Sequence, residues 1–86
     1  MTRSIFTKKY RDLCHLLIQA RESQGLTQAK VAERLNRPQS FVSKYENGER
    51  RLDVIEFLEV AAALDVQAES LLAIVEDKGK KRNRKT

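Results

Sequence analysis

Hydrophobic residues recur at intervals of three and four along most of the chain, and strand-like alternation of apolar and polar residues is nowhere sustained. Such spacing gathers apolar side chains on one face of an α-helix. Good helix formers dominate the sequence, whereas glycine occurs three times and proline once. These patterns predict an all-α fold, a compact bundle of five helices over about residues 8–24, 28–36, 39–47, 54–64 and 68–75.

Residues that begin or end helices separate these segments. Gly25 and Gly48 are suited to ending the first and third helices. Thr27 and Asp53 are good N-caps for the second and fourth helices, and Pro38 fits a turn or a first helical position. The second and third helices are therefore about nine residues long and are joined by a very short turn, which is the spacing of a helix-turn-helix unit.

The third helix has few apolar residues to bury. Val42 and Tyr45 are three positions apart and are expected to face the core together. The residues left pointing outward carry amides, hydroxyls and one amine: Gln39, Ser40, Ser43, Lys44 and Asn47. These hydrogen-bonding groups either form an ordinary solvated helix face or are held at the surface for a polar partner.

The last two helices supply the rest of the core. In the fourth helix, the apolar stripe is expected to consist of Val54, Phe57, Leu58, Ala61 and Leu64. In the fifth helix, Leu72 is expected to complete the core. The other apolar residues, Leu71, Ile74 and Val75, exceed what one short helix needs, so they either finish the monomer core or form a hydrophobic seam between two copies.

The net charge of +5 is concentrated at one end of the chain. Residues 78–86 contain six lysines and arginines and no acid, so residues 1–77, with 11 basic and 12 acidic residues, have a net charge of −1. We expect residues 1–77 to form the domain and residues 78–86 to be disordered, because this tail has no apolar residue to bury. The tail is either a solubilising end or an arm that attracts phosphates without reading sequence.

Several other classes of protein are disfavoured by the sequence. The apolar runs fall far short of the roughly 20 residues that span a bilayer, and the N-terminus lacks the apolar segment of a signal peptide. Cys14 is the single cysteine, so no internal disulfide can form and a cytoplasmic location is expected. His15 is adjacent to Cys14 and faces another side of the helix, which suits neither a metal site nor a nucleophile–base pair.

The sequence accordingly predicts no enzyme activity, metal, cofactor, small-molecule ligand or membrane contact. His15 is expected at the surface, and Cys14 is expected to fill the core as a small apolar residue, with redox sensing as the alternative.

Several spaced motifs together resemble one known family. Leu-Thr-Gln opens the second helix, Ser-x-x-Ser-x-Tyr-Glu-x-Gly ends the third, and Ala-x-x-Leu-x-Val ends the fourth. This ordered set closely resembles the Cro/C1-type (lambda-repressor-like, XRE family) helix-turn-helix domain over roughly residues 10–75. The resemblance implies a transcription regulator that binds two-fold symmetric operator DNA as a homodimer, with the third helix in the major groove. Within the family, the chain resembles a small phage repressor or a restriction–modification controller protein.

The resemblance also implies roles for individual residues. The candidates for contacting base edges are Gln39, Ser40, Phe41, Ser43 and Lys44. The candidates for contacting phosphates are Gln28, Arg37, Asn47, Gly48, Arg50 and Arg51. Phe41 departs from a purely polar face, and it either touches a thymine methyl or shields an edge of the helix.

Two further sets of residues have structural roles in this interpretation. In the family, an arginine of the first helix pairs with the glutamate near the end of the third, so Arg21 and Glu46 are expected to form an ion pair that orients the third helix. The dimer-interface candidates are Val54, Ile55, Leu71, Ile74 and Val75. The alternative function is an antitoxin or adaptor whose main partner is another protein, although only residues 1–8 and the basic tail would lie outside the fold to bind it.

Overall fold

The computed structural model of the protein describes residues 7–80, with side chains through residue 77. Five helices follow one another along this part of the chain: α1 (Lys8–Ser23), α2 (Gln28–Leu35), α3 (Gln39–Asn47), α4 (Val54–Ala63) and α5 (Ala68–Lys80). The predicted all-α, five-helix fold is confirmed. Helix α5 continues past the predicted end at residue 75 into the first residues of the predicted tail. The remainder of that tail, residues 81–86, lies outside the described residues, as does its expected disorder.

Side-chain caps begin three of the helices. The side-chain oxygens of Thr7, Thr27 and Asp53 accept hydrogen bonds from backbone N–H groups three residues later, at 3.1, 3.0 and 2.7 Å. Asn36 caps the C-terminus of α2 and Gly48 caps that of α3, both in the left-handed region with φ of 58° and 83°. Asparagine and glycine are the residues that adopt this conformation most readily, so each stop is encoded locally.

All five helices contribute side chains to one core. Helix α2 packs against α3 and α4, while α1 packs against α3 and α5. The predicted burial of the inner face of α3 is confirmed, because Val42 and Tyr45 are both 0% exposed. Since α1 and α2 cover this inner face, the opposite face of α3 points away from the molecule.

The predicted buried stripe of α4 is wrong at two positions. Val54 and Leu58 are 72% and 47% exposed, whereas Phe57, Val60 and Ala61 are buried. Apolar residues occupy most positions of α4, so more than one helical stripe fits the sequence. Packing against α2 and α5 selects the stripe that includes Val60.

The expected places of two leucines in α5 are reversed. Leu71 is 7% exposed and belongs to the core, while Leu72 is 49% exposed. Leu71 is therefore withdrawn as a dimer-interface candidate, because its side chain is already buried within one chain. Successive residues of a helix are rotated by about 100°, so the rotation of α5 about its own axis decides which of the two leucines faces the core. Ile74 is 42% exposed and Val75 is partly buried.

Candidate nucleic-acid interface

The outward face of α3 carries the polar side chains that the sequence placed there. Gln39, Ser40, Lys44 and Asn47 are exposed, and Ser43 is partly buried. These residues follow one another at one- and three-residue steps, so they lie on one side of the helix. The face presents amides, hydroxyls and an ammonium group to the exterior.

Phe41 does not belong to this outward face. Its side chain is 7% exposed and makes an edge-on contact with Tyr45 at a ring-centroid separation of 5.6 Å. The guanidinium carbons of Arg37 and Arg50 lie over the ring, 4.4 and 4.9 Å from its centroid. The ring is covered by protein, so we withdraw Phe41 from the base-contact candidates. Of its two expected roles, shielding an edge of α3 agrees with this geometry.

Glu46 links α1 to α3 through the predicted ion pair. Arg21 donates from Nε to Oε2 at 2.8 Å and from Nη2 to Oε1 at 3.2 Å. The Arg21 and Glu46 side chains are 14% and 4% exposed, so the pair is largely shielded from water. These hydrogen bonds raise the pKa of Arg21. Arg21 also donates to the carbonyl of Leu26, which fixes the connection between α1 and α2.

The same carboxylate connects to the surface through two glutamines. Gln28 donates from Nε2 to Oε1 of Glu46 at 2.8 Å, and Gln39 donates from Nε2 to Oε1 of Gln28 at 3.4 Å. A chain of hydrogen bonds therefore runs from the shielded ion pair to the first residue of α3. The sequence assigned the side chain of Gln28 to a phosphate, but the structure engages it within the protein. The N–H of Lys30 is taken by the Thr27 cap, and those of Gln28 and Ala29, which have no intrahelical acceptor, are better placed for an anion.

Arg50 is held by a carboxylate on α4. Its Nη1 and Nη2 donate to Oε1 and Oε2 of Glu56 at 2.8 and 2.7 Å. Arg37 lies 3.8 Å from the same carboxylate and 3.6 Å from Glu59. The pKa of Glu56 is lowered to about 2, because its carboxylate accepts hydrogen bonds from Arg50 and from the backbone N–H of Asp53. The positive charge of Arg37 acts in the same direction. The sequence treated both arginines as free phosphate ligands, whereas the structure places them in ion pairs.

Tyr10 of α1 holds the connection that follows α3. Its hydroxyl donates to the carbonyl of Arg50 at 3.4 Å and accepts from the N–H of Leu52 at 2.9 Å. Burial raises the pKa of Tyr10. The exposed guanidinium of Arg51 lies over the Tyr10 ring, 4.8 Å from its centroid. Arg51 thus remains at the surface beside the C-terminal end of α3, close to Gly48.

Within the described residues, the other features that could carry a function are a redox-sensing cysteine, a metal site and a membrane-spanning helix. Cys14 is 3% exposed, its thiol donates to the carbonyl of Tyr45 at 3.4 Å, and burial raises its pKa. A raised pKa leaves less thiolate, which argues against redox sensing. His15 is exposed. Within residues 7–77, no three His, Cys, Asp or Glu side chains lie close enough together to hold a metal ion. Among the described helices, none is long and apolar enough to cross a membrane.

Sequence reasoning missed two residues that support this surface. Glu56 follows the N-cap Asp53 by three positions, a capping-box pattern that would have placed it at the start of α4. That pattern gives no sign of its pairing with Arg50. Tyr10 fits the apolar spacing of the first helix, but its hydroxyl contacts residues about 40 positions away, for which no local pattern exists.

Together, the short turn between α2 and α3, the buried inner face of α3 and its polar outer face define a helix-turn-helix DNA-binding domain. A sequence profile of the helix-turn-helix family HTH_3 matches residues 17–71. The chain belongs to this family, the XRE-type DNA-binding transcription regulators, and the suspected family resemblance is confirmed. The members of the family are generally regulators and not enzymes.

Solved structures agree with this assignment. An XRE-family like protein from Pseudomonas syringae pv. tomato str. DC3000 is 47% identical, with a TM-score of 0.80 over 84% of this chain and 88% of that chain. The clp gene regulator ClgR from C. glutamicum has a TM-score of 0.75 at 18% identity, covering 90% of this chain and 100% of that one. A point mutant of the restriction–modification controller protein C.Esp1396I has a TM-score of 0.76 at 17% identity over 90% and 100%. The last two likenesses concern the fold. No curated protein matches the sequence.

Proposed function

We propose that the protein binds operator DNA as a homodimer, with α3 in the major groove and α2 crossing the backbone above it. The observation that carries this proposal is the outward face of α3, where five polar side chains stand opposite a fully buried face. From its first to its ninth residue α3 rises by about 12 Å, and base pairs are about 3.4 Å apart. Helix α3 is therefore long enough to lie opposite three or four base pairs. The major groove admits an α-helix and shows a distinct donor and acceptor pattern for each base pair.

The hydrogen-bond chain behind α3 gives Gln39 a defined orientation. Glu46 only accepts hydrogen bonds, so Nε2 of Gln28 faces it and Oε1 of Gln28 is left to accept from Gln39. Gln39 then retains one N–H donor and its Oε1 acceptor for a partner outside the protein. Adenine offers the complementary pair in the major groove, an N7 acceptor and an N6 donor. Gln39 is therefore proposed to prefer adenine.

The remaining polar residues divide into two groups by their place on α3. Ser40, Ser43 and Lys44 continue the face that begins with Gln39 and are proposed to contact base edges, with Lys44 suited to guanine. Asn47, Gly48 and Arg51 lie at or beyond the C-terminal end of α3 and are proposed to contact phosphates. The first-turn N–H groups of α2 are proposed to contact a phosphate on the other side of the groove.

A homodimer is proposed because one α3 reads about half of an operator, and two half-sites one helical turn apart require two domains. The dimer would bury apolar side chains that are exposed in the single chain. On α4 these are Val54 and Ile55, and on α5 they are Ile74 and the partly buried Val75. Leu58 and Leu72, at 47% and 49% exposure, are added to this surface on the basis of the structure.

Substitutions at three positions test the proposed division of roles. Gln39→Ala and Lys44→Ala should each lose about 1–3 kcal/mol of discrimination at one base position of the operator half-site. Arg51→Ala should weaken binding to operator and random duplexes alike and reduce the salt slope by about one. The measurement is binding of each variant to an operator and to its single-base variants at several salt concentrations. An equal loss on every sequence for all three variants would contradict the base-reading assignments.

A further inference from the structure

The side chain of Glu56 lies beside both Arg37 and Arg50, the arginines that flank α3. Arg37 precedes α3 by two residues, and Arg50 follows the Gly48 cap by two residues. The carboxylate of Glu56 is 2.7 Å from Arg50 and 3.8 Å from Arg37, so it contacts the chain on both sides of α3. Both guanidinium groups also lie over Phe41, which belongs to the first turn of α3.

The position of Glu56 is itself fixed by α4. Its backbone N–H donates to Oδ1 of Asp53 at 2.7 Å, and its Oε1 accepts from the N–H of Asp53 at 3.0 Å. This capping box ties the carboxylate to the N-terminus of α4, where the helix dipole favours a negative charge. The side chain is 12% exposed. The two arginines that cover Phe41 are therefore held by a carboxylate whose position is fixed on α4.

We propose that Glu56 is a positioning residue for operator recognition: by holding Arg37 and Arg50 over Phe41, it sets the orientation of α3 on the body of the domain. This inference rests on the proposed function, because it concerns how α3 is presented to base edges. Glu56 acts through the two arginines and does not itself contact DNA.

Simple electrostatics predicts a different effect for this residue. An acid near DNA repels phosphates whatever their sequence, so removing it should strengthen binding to every duplex by a common factor. A positioning residue has a second effect. If its removal lets α3 shift, base contacts that depend on hydrogen-bond geometry are lost, while the attraction to phosphates is retained. The ratio of operator affinity to random-duplex affinity separates these effects.

Glu56→Gln and Glu49→Gln form a matched pair for this measurement. Both remove one negative charge near the C-terminal side of α3, and glutamine is also accepted at the third position of a capping box. Glu49 is exposed, and in the described part of the chain its side chain has no ion pair. The probes are the duplex enriched by the unmodified protein from a random pool and a scrambled duplex of the same length. Glu49→Gln should raise both affinities by the same factor.

Glu56→Gln should lower the ratio of operator to scrambled affinity by roughly 5- to 150-fold, which is the discrimination carried by one bidentate base contact. Affinity for the scrambled duplex should not fall. An unchanged ratio, as in Glu49→Gln, would overturn the positioning role.

Glu56→Asp provides a second test in which the charge is retained. Aspartate is one methylene shorter, so its carboxylate cannot keep both hydrogen bonds to Arg50 from the same backbone position. The ratio should again fall, whereas electrostatics alone predicts no change in either affinity. Circular dichroism establishes that each variant is folded at the assay temperature. If the unmodified protein itself enriches no duplex, the proposed function fails; if it does and either Glu56 variant keeps the ratio, only this inference fails.

Discussion

Glu46 takes part both in the ion pair that anchors α3 and in the hydrogen bonds that lead to its polar surface. It accepts hydrogen bonds from Arg21 on one side and from Gln28 on the other, and Gln28 in turn contacts Gln39. The first contact anchors α3 to α1, and the second orients an amide that we propose to read a base. A single carboxylate thus couples the stability of the domain to the geometry of its surface.

Arg21→Ala is expected to destabilise the domain by about 3–5 kcal/mol, because it leaves a shielded carboxylate without its charged partner. For a domain of this size, that corresponds to a fall in Tm of more than about 10 °C. Thermal unfolding followed by circular dichroism measures the change. Lys8→Ala is the matched control on the same helix, since the ion pair of Lys8 with Asp12 involves a lysine that is 78% exposed and should contribute about 0–1 kcal/mol. An unchanged Tm together with loss of operator binding would show that Arg21 serves DNA contact and not structure.

At the scale of a helix, α3 was the element best predicted from the sequence. Its limits match the prediction at both ends, because Gly48 supplies a left-handed stop and Pro38 stands just before the first turn. Its inner face was predicted in part: the three-residue spacing of Val42 and Tyr45 suits a single face, but Phe41, a base-contact candidate, is also buried. These signals are local, and local signals are what a sequence displays directly.

The neighbouring helices show where such reasoning stops. Helix α4 is apolar around most of its circumference, so the sequence allowed a stripe through Leu58 where packing selects Val60. In α5 the choice between Leu71 and Leu72 depends on how the helix docks, which no local pattern specifies. The pairing of Arg50 with Glu56 could not be predicted either, because the position of Glu56 near the start of α4 indicates only a capping role. Faces and contacts set by tertiary packing were therefore the parts that could not be predicted.

Gly48→Ala tests whether the end of α3 depends on the left-handed conformation. An alanine at φ of 83° should cost about 1–2 kcal/mol, because its Cβ approaches the following carbonyl oxygen. Denaturant unfolding gives the change in the free energy of unfolding. The same substitution at Gly79, the penultimate residue of α5, is the control and should not destabilise, since alanine is favoured over glycine in helical backbone. Equal stability of Gly48→Ala and the unmodified protein would show that another conformation ends α3.

At the scale of the whole molecule, the proposed interface and the proposed dimer surface lie on different elements. The polar surface is built by α2 and α3, whereas the exposed apolar residues belong to α4 and α5. A dimer formed through α4 and α5 would leave both copies of α3 free.

Ile55→Glu is expected to weaken the dimer, because it places a charge in a surface that would be desolvated on association. Sedimentation velocity over a range of micromolar concentrations should show a species of dimer mass for the unmodified protein and a shift toward monomer for the variant. His15→Glu introduces the same side chain at an exposed position of α1 and should leave the dimer intact. A monomer at every concentration for the unmodified protein, with and without DNA, would contradict the proposed dimer.

Sequence-specific binding through α3 is tested most directly by selection of bound sequences by the full chain from a pool of random duplexes. We expect an enriched motif with two-fold symmetry, half-sites about one helical turn apart, and a position in each half-site whose preference for adenine is lost in Gln39→Ala. A selection that yields no enriched motif, with binding that depends only on the salt concentration, would contradict sequence-specific recognition by α3.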